Sequence, residues 1–155
     1  MEASIALRPA TVVAIACAGG FFLAGLLTGV WKYRGMITSP EARAPYYVDI
    51  AHRTSLLYSF ACLLLAVFAQ LSAWTDFTNV IGVAVPIVFF AGAVSSYVAH
   101  GLLRDTDNQL RRPHRLGRVT LPGWAMRLAM TGVTVGEIGG FVILFTGFLA
   151  RLAGR

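Results

Sequence analysis

His52 lies in the stretch Tyr46-Tyr47-Val48-Asp49-Ile50-Ala51-His52-Arg53-Thr54-Ser55, where polar, aromatic sequence gives way to the apolar run Leu56 to Phe68. An imidazole at such a boundary can ligate a metal through a neutral ring nitrogen. A second histidine, His100, closes a stripe of Ala93, Ser96, Tyr97 and His100 at helical spacing, which puts the polar members on one helix face. His52, Ser55 and Ser59 share a face in the same way, with Tyr58 roughly a third of a turn aside. Glu137, an acid within an otherwise apolar run, could carry a proton or pair with a cation. Each also has a plainer reading. His52 could be an interfacial hydrogen-bonding residue, Ser96, Tyr97 and His100 could bond across helices, and Glu137 could be a protonated acid at a helix or subunit contact.

These residues must be positioned by membrane-spanning helices. Of the 155 residues, 57% are hydrophobic and 13% charged, too few charges to cover a soluble globule. Four apolar stretches, Pro9 to Trp31, Thr54 to Trp74, Val80 to Leu103 and Leu128 to Ala150, each approach the roughly 20 residues needed to cross a bilayer. The predicted fold is therefore all-α, a single membrane domain of four transmembrane helices over residues 1–155. The third helix runs back toward the side where the second begins, so His100 is expected near the depth of His52. Glu137 lies about nine residues beyond Leu128, on the order of 14 Å, close to the bilayer middle.

The net charge of +6 follows membrane topology rather than nucleic-acid binding, for ten of the 13 Lys and Arg residues fall in the first and third connections. That bias predicts loops 32–53 and 104–127 on the cytoplasmic side, with both termini outside, and a bacterial inner (plasma) membrane is the expected setting. The first connection carries Gly35, Pro40 and Pro45, breakers that oppose a long helix there. Ser72 to Asn79 reads as a plain hairpin. The Arg104 to Gly123 loop reads as a solvated segment touching phospholipid headgroups, with His114 in a flexible setting. Gly25 and Gly29, and then Gly132, Gly136 and Gly140, form smooth strips for helix packing. Cys17 and Cys62 lie in apolar runs without CxxC spacing and read as small packed residues.

Histidines at matched depth on two helices of a membrane bundle are a recurring way to hold haem, and the absence of a CxxCH motif points to non-covalent haem b. Two ligands, His52 and His100, would give a six-coordinate electron carrier. One ligand, His52, would leave a face open for Lewis-acid chemistry. A cofactor-free transporter or assembly subunit using Glu137 is the third class.

The sequence resembles the styrene oxide isomerases, small four-span membrane enzymes. Ser39-Pro40-Glu41 followed by Ala51-His52 is similar to that family's Ser-Pro-Glu stretch and Ala-His step, Tyr97 falls at the distance of its active-site tyrosine, and Pro122-Gly123 opens the fourth helix as a Pro-Gly does there. Tyr58 and Phe89 stand where the family has an asparagine and an aspartate. The resemblance implies His52 as axial ligand of haem b; Ser55, on the helix face of His52, and His100, at matched depth, are the further cofactor-binding candidates. It also implies Tyr97 and Tyr58 as pocket residues, a homotrimer, and isomerisation of a small apolar epoxide to an aldehyde or ketone. Phe89, Phe90, Tyr58 and Tyr97 would line a cavity for an aromatic or terpenoid substrate.

Overall fold

The computed structural model describes residues 6–154. Its helices are α1 (Pro9–Ile37), α2 (Tyr46–Leu71), α3 (Asp76–Leu103) and α4 (Gly123–Leu152). All four are long and apolar enough to cross a membrane, so the chain is an integral membrane four-helix bundle. At 1.5 Å per residue they extend over about 39–45 Å, more than the hydrocarbon core alone requires.

The extra length changes two boundaries. α1 continues through Gly35 to Ile37 and α2 already begins at Tyr46, leaving only residues 38–45 as the connection. A helix satisfies its own backbone, so it continues until a residue forbids it, and here the prolines at 40 and 45 do so. Gly35 is accommodated because Pro45 packs on it, its Cδ only 3.0 Å from where a Cβ would stand. His52 consequently lies in the second turn of α2 rather than at its threshold.

α1 packs most extensively on α2, and α4 rests on α3 and α2 while scarcely touching α1. Glycines set both approaches. On α1, a Cβ at Gly25 would meet Leu56 at 2.6 Å and one at Gly29 would meet the His52 ring at 2.9 Å. On α4, Gly132 and Gly136 receive Phe89, and Gly140 receives the Pro86 ring. That proline already lacks an amide donor, so the α3 backbone there is open to close approach. The core joins Ala10, Ala14 and Ala18 of α1 to Cys62, Leu65 and Ala66 of α2, Val83, Ile87 and Phe90 of α3, and Leu144 of α4. Large apolar side chains such as Leu57, Phe60, Phe77 and Val88 face outward, as lipid contact requires.

The third connection is more ordered than a solvated loop. β1 (His114–Leu116) and β2 (Val119–Leu121) form an antiparallel hairpin with His114 opposite Leu121. Gly117 supplies the positive φ of 59° that the tight turn needs. His114 is buried, which corrects the expectation of a flexible setting.

Candidate functional site

The His52 ring leaves α2 toward α1 and lies on the strip opened by Gly29. Its Nδ1 is 2.8 Å from the Gly25 carbonyl oxygen. A carbonyl can only accept, so Nδ1 carries the hydrogen and Nε2 keeps its lone pair. A backbone carbonyl or carboxylate that accepts from the other ring nitrogen, fixing orientation and tautomer, is the usual support of a ligating histidine. One turn along α2, Ser55 is fully buried and its Oγ has no hydrogen-bond partner among the described residues. His52 itself is only half-buried, and the neighbouring α1 residues Leu26 and Val30 are exposed and apolar. An anchored imidazole with a free nitrogen, beside apolar outward side chains, fits an axial haem ligand.

His100 belongs to a different constellation. Its Nδ1 is 2.7 Å from Asp105 Oδ1, and its ring tilts against Tyr47 with centroids 5.0 Å apart. Asp105 Oδ2 accepts the Gly117 amide, while Tyr47 Oη accepts the Gln109 amide at 2.6 Å and Ser96 donates to the Gln109 side chain. Burial pushes the Asp105 carboxyl up, but the Gly117 amide and His100 outweigh it and hold the group below the ordinary carboxylate range. This network ties the end of α3 to the hairpin. It also borders an open cleft of about 640 Å³, lined by Arg43, Tyr46, Tyr47, His100, Arg104 and Asp105 among others. Tyr47, which His100 touches, projects about 140° around α2 from His52. No hydrogen bond joins the two histidines.

The remaining candidates lie on three helices. Tyr58 of α2 stacks on Phe90 at 4.0 Å and meets Phe21 edge-on at 6.0 Å. Tyr97 of α3 stacks on Tyr47 at 5.9 Å. Glu137 lies on α4, and among the described residues its Oε1 is buried without a partner. Phe89 packs on the α4 glycines Gly132 and Gly136.

Sequence reasoning missed Asp105 as the partner of His100, because a residue five positions on and beyond the helix end has no periodic signature. It also read Gly25 and Gly29 as packing alone. The signal for more was present, since a glycine pair spaced by four opposite a lone histidine can seat a ring. Among the described residues no three His, Cys, Asp or Glu side chains gather as a metal cage, whereas a porphyrin iron takes only one or two axial side chains. Compared with protein-family models, curated proteins and solved structures, the chain gives no match.

Proposed function

We propose that the chain is a membrane-embedded haem-b isomerase that converts an apolar or aromatic epoxide to an aldehyde or ketone without net redox change. The observation that carries this reading is the His52 ring, anchored through Nδ1 to the Gly25 carbonyl and left with a free Nε2. When bound there, haem would supply a Lewis-acidic iron able to polarise an oxygen.

The chain's own residues have separate tasks in this reading. His52 holds the cofactor and Gly25 fixes its ring. The resemblance to styrene oxide isomerases gives Tyr97 the role of a hydrogen-bond donor that keeps its proton while the carbon–oxygen bond lengthens, and its ring stacks on Tyr47, on the side of α2 turned from His52. Tyr58, stacked on Phe90, presents an aromatic wall to the carbon that becomes electron-poor. The rearrangement adds and removes no atoms: one C–O bond breaks, a hydride migrates with its electron pair to the neighbouring carbon, and the retained oxygen becomes a carbonyl. An apolar bundle favours that outcome, because water would capture the electron-poor carbon and yield a diol.

A two-histidine electron carrier would need His100 on the same iron. The His100 ring lies against Tyr47, on another side of α2 from His52, and this favours one protein ligand. We further place loops 32–53 and 104–127 on the cytoplasmic face of a bacterial inner membrane and take the assembly to be a homotrimer. The excess of Lys and Arg in those loops supports the first proposal, and the resemblance to styrene oxide isomerases supports the second.

The test is the absorption spectrum of the detergent-solubilised protein. A Soret band is expected in the wild type and in His100→Ala, and its loss in His52→Ala. Full haem occupancy in His52→Ala, or a wild type purified from haem-supplied cells with no Soret band, would overturn the assignment.

A further inference from the structure

Two open clefts meet where the end of α1, the start of α2 and the end of α3 come together. One, of about 640 Å³, lies between the 38–45 connection and the end of α3. The other, of about 570 Å³, extends along α1 from Arg34 past Trp31 and Val30 to Leu27. They share Gly35, Thr38, Pro45 and Arg104, so they form one furrow. Close packing makes its floor: Pro45 Cδ stands 3.0 Å from where a Cβ of Gly35 would be, and the Trp31 ring 3.0 Å from where one of Gly101 would be. The furrow changes character along its length. Leu27 and Val30 are exposed and apolar, as residues facing hydrocarbon are, whereas Arg34, about 10 Å further along the helix at 1.5 Å per residue, begins a cationic end.

That cationic end has no internal counter-charge. Arg43 and Arg104 line the first cleft, Arg34 and Arg104 the second. The two acids of the lining are already engaged, Asp105 with His100 at 2.7 Å and Asp107 with Arg111 at 3.0 Å. Asp49 nearby is held by Lys32 and Arg53 at 2.6 and 2.7 Å. Among the described residues Arg34, Arg43 and Arg104 therefore join no salt bridge. Arg104 is fixed at the lip by its backbone, which caps α3 with φ 50° and donates its amide to the His100 carbonyl at 2.8 Å. The start of α2 at Pro45, on the same cleft, has no side-chain cap, so the positive end of that helix adds to the field of the arginines.

Three guanidinium groups brought together from two helix ends and a connection repel one another until an anion joins them, and a phosphate can accept from more than one. A choline or ethanolamine head would bring a cation among arginines with no free carboxylate to receive it. The apolar continuation past Trp31 calls for a chain attached to the anion and running toward the hydrocarbon core. We propose that Arg34, Arg43 and Arg104 form a binding site for the headgroup of an anionic phospholipid, with an acyl chain lying along Trp31, Val30 and Leu27. The site requires no haem and shares no residue with the isomerase reading, so the two can fail separately.

The experiment is native mass spectrometry of the full-length, detergent-solubilised protein titrated with dioleoyl phosphatidylglycerol or dioleoyl phosphatidylcholine. Wild type is expected to bind the glycerol lipid saturably and more tightly than the choline lipid. The Arg34→Gln, Arg104→Gln double variant should weaken phosphatidylglycerol binding about tenfold or more, as the loss of two charge contacts near a headgroup predicts. An Arg115→Gln, Arg118→Gln variant removes the same charge from the hairpin, outside the furrow, and should bind as wild type does. Equal affinity for the two lipids, no saturable phosphatidylglycerol binding by folded wild type, or equal losses in the two double variants overturns the site. Glycerol 1-phosphate, which has the phosphate without the chains, should bind far more weakly, and equal affinity for it overturns the lipid assignment. If the Arg34, Arg104 variant does not fold, Arg43→Gln alone must weaken phosphatidylglycerol binding about fivefold with its melting temperature preserved, and unchanged affinity overturns the site.

Discussion

The turn between α2 and α3 and the middle of the bundle treat their polar groups in opposite ways. At the turn, Arg8 reaches from the start of α1 to pair with Asp76 at 2.7 Å and to donate to the Ser72 and Trp74 carbonyls at 2.7 and 2.6 Å. α4 joins the same knot, with the Ala73 amide donating to the Gly147 carbonyl at 2.9 Å and the Trp74 indole to the Ile143 carbonyl at 3.0 Å. Asn79 Oδ1 is the one buried side-chain atom left over there. In the middle, Ser55 Oγ and Glu137 Oε1 are buried without partners. Polar groups that saturate one another are architecture. Those held apart by the fold mark where a ligand or cofactor can add what is missing.

The sharpest way to break that contrast is to fill the strip beneath His52. A leucine at Gly29 would drive its Cβ into the imidazole, where even the first carbon stands 2.9 Å from Cε1, and push the ring off the Gly25 carbonyl. Gly29→Leu should lose most of its haem while the helices still form. Unchanged Soret intensity in a folded variant would show that the seat on α1 does not matter.

How much of this was legible in the sequence depends on range. The four spans were plain from apolar length, and the glycine strips at 25 and 29 and at 132, 136 and 140 were correctly read as packing faces. The helix ends were not, because Tyr46 to Arg53 looks polar and loop-like while its backbone still gains from continuing the helix. Ser72 to Asn79 looked like a plain hairpin because its partners, Arg8 and Gly147, are far away in sequence. The hairpin at 114–121 carried a local signal in Gly117, flanked by Leu116 and Val119, which the surrounding arginines obscured. His52, Tyr58, Tyr97 and Glu137 could be singled out as costly in a membrane. That Tyr58 stacks on Phe90 and Tyr97 on Tyr47 is a fact of packing between helices, which no spacing within one helix reveals.

The saturated end should respond differently from the site. Arg8→Ala removes the ion pair with Asp76 and several charge-assisted hydrogen bonds at once, although part of that surface is exposed. We expect a stability loss on the order of 2 kcal/mol, seen as a lower melting temperature, with haem content per folded protein unchanged. A variant that lost haem in proportion while remaining folded would erase the distinction between the two regions.

The smallest effect is expected at the hairpin, where Asp105 is satisfied by His100 and the Gly117 amide. Because the folded protein holds this carboxyl below its ordinary range, its contribution is fully present above the unfolded value of about 4. It fades as pH falls through the lower folded value. Amide exchange at Gly117 should therefore show a constant protection factor from neutral pH down to about 4 and a decline below that. Asp105→Asn should lower protection roughly tenfold at neutral pH and remove the acid-dependent decline, since the amide side chain does not titrate in this range. His100 touches the same carboxyl, so His100→Ala should weaken the hairpin less than Asp105→Asn, because Gly117 keeps its acceptor. If Asp105→Asn retained the acid-dependent decline, a group other than Asp105 would be closing the hairpin onto α3.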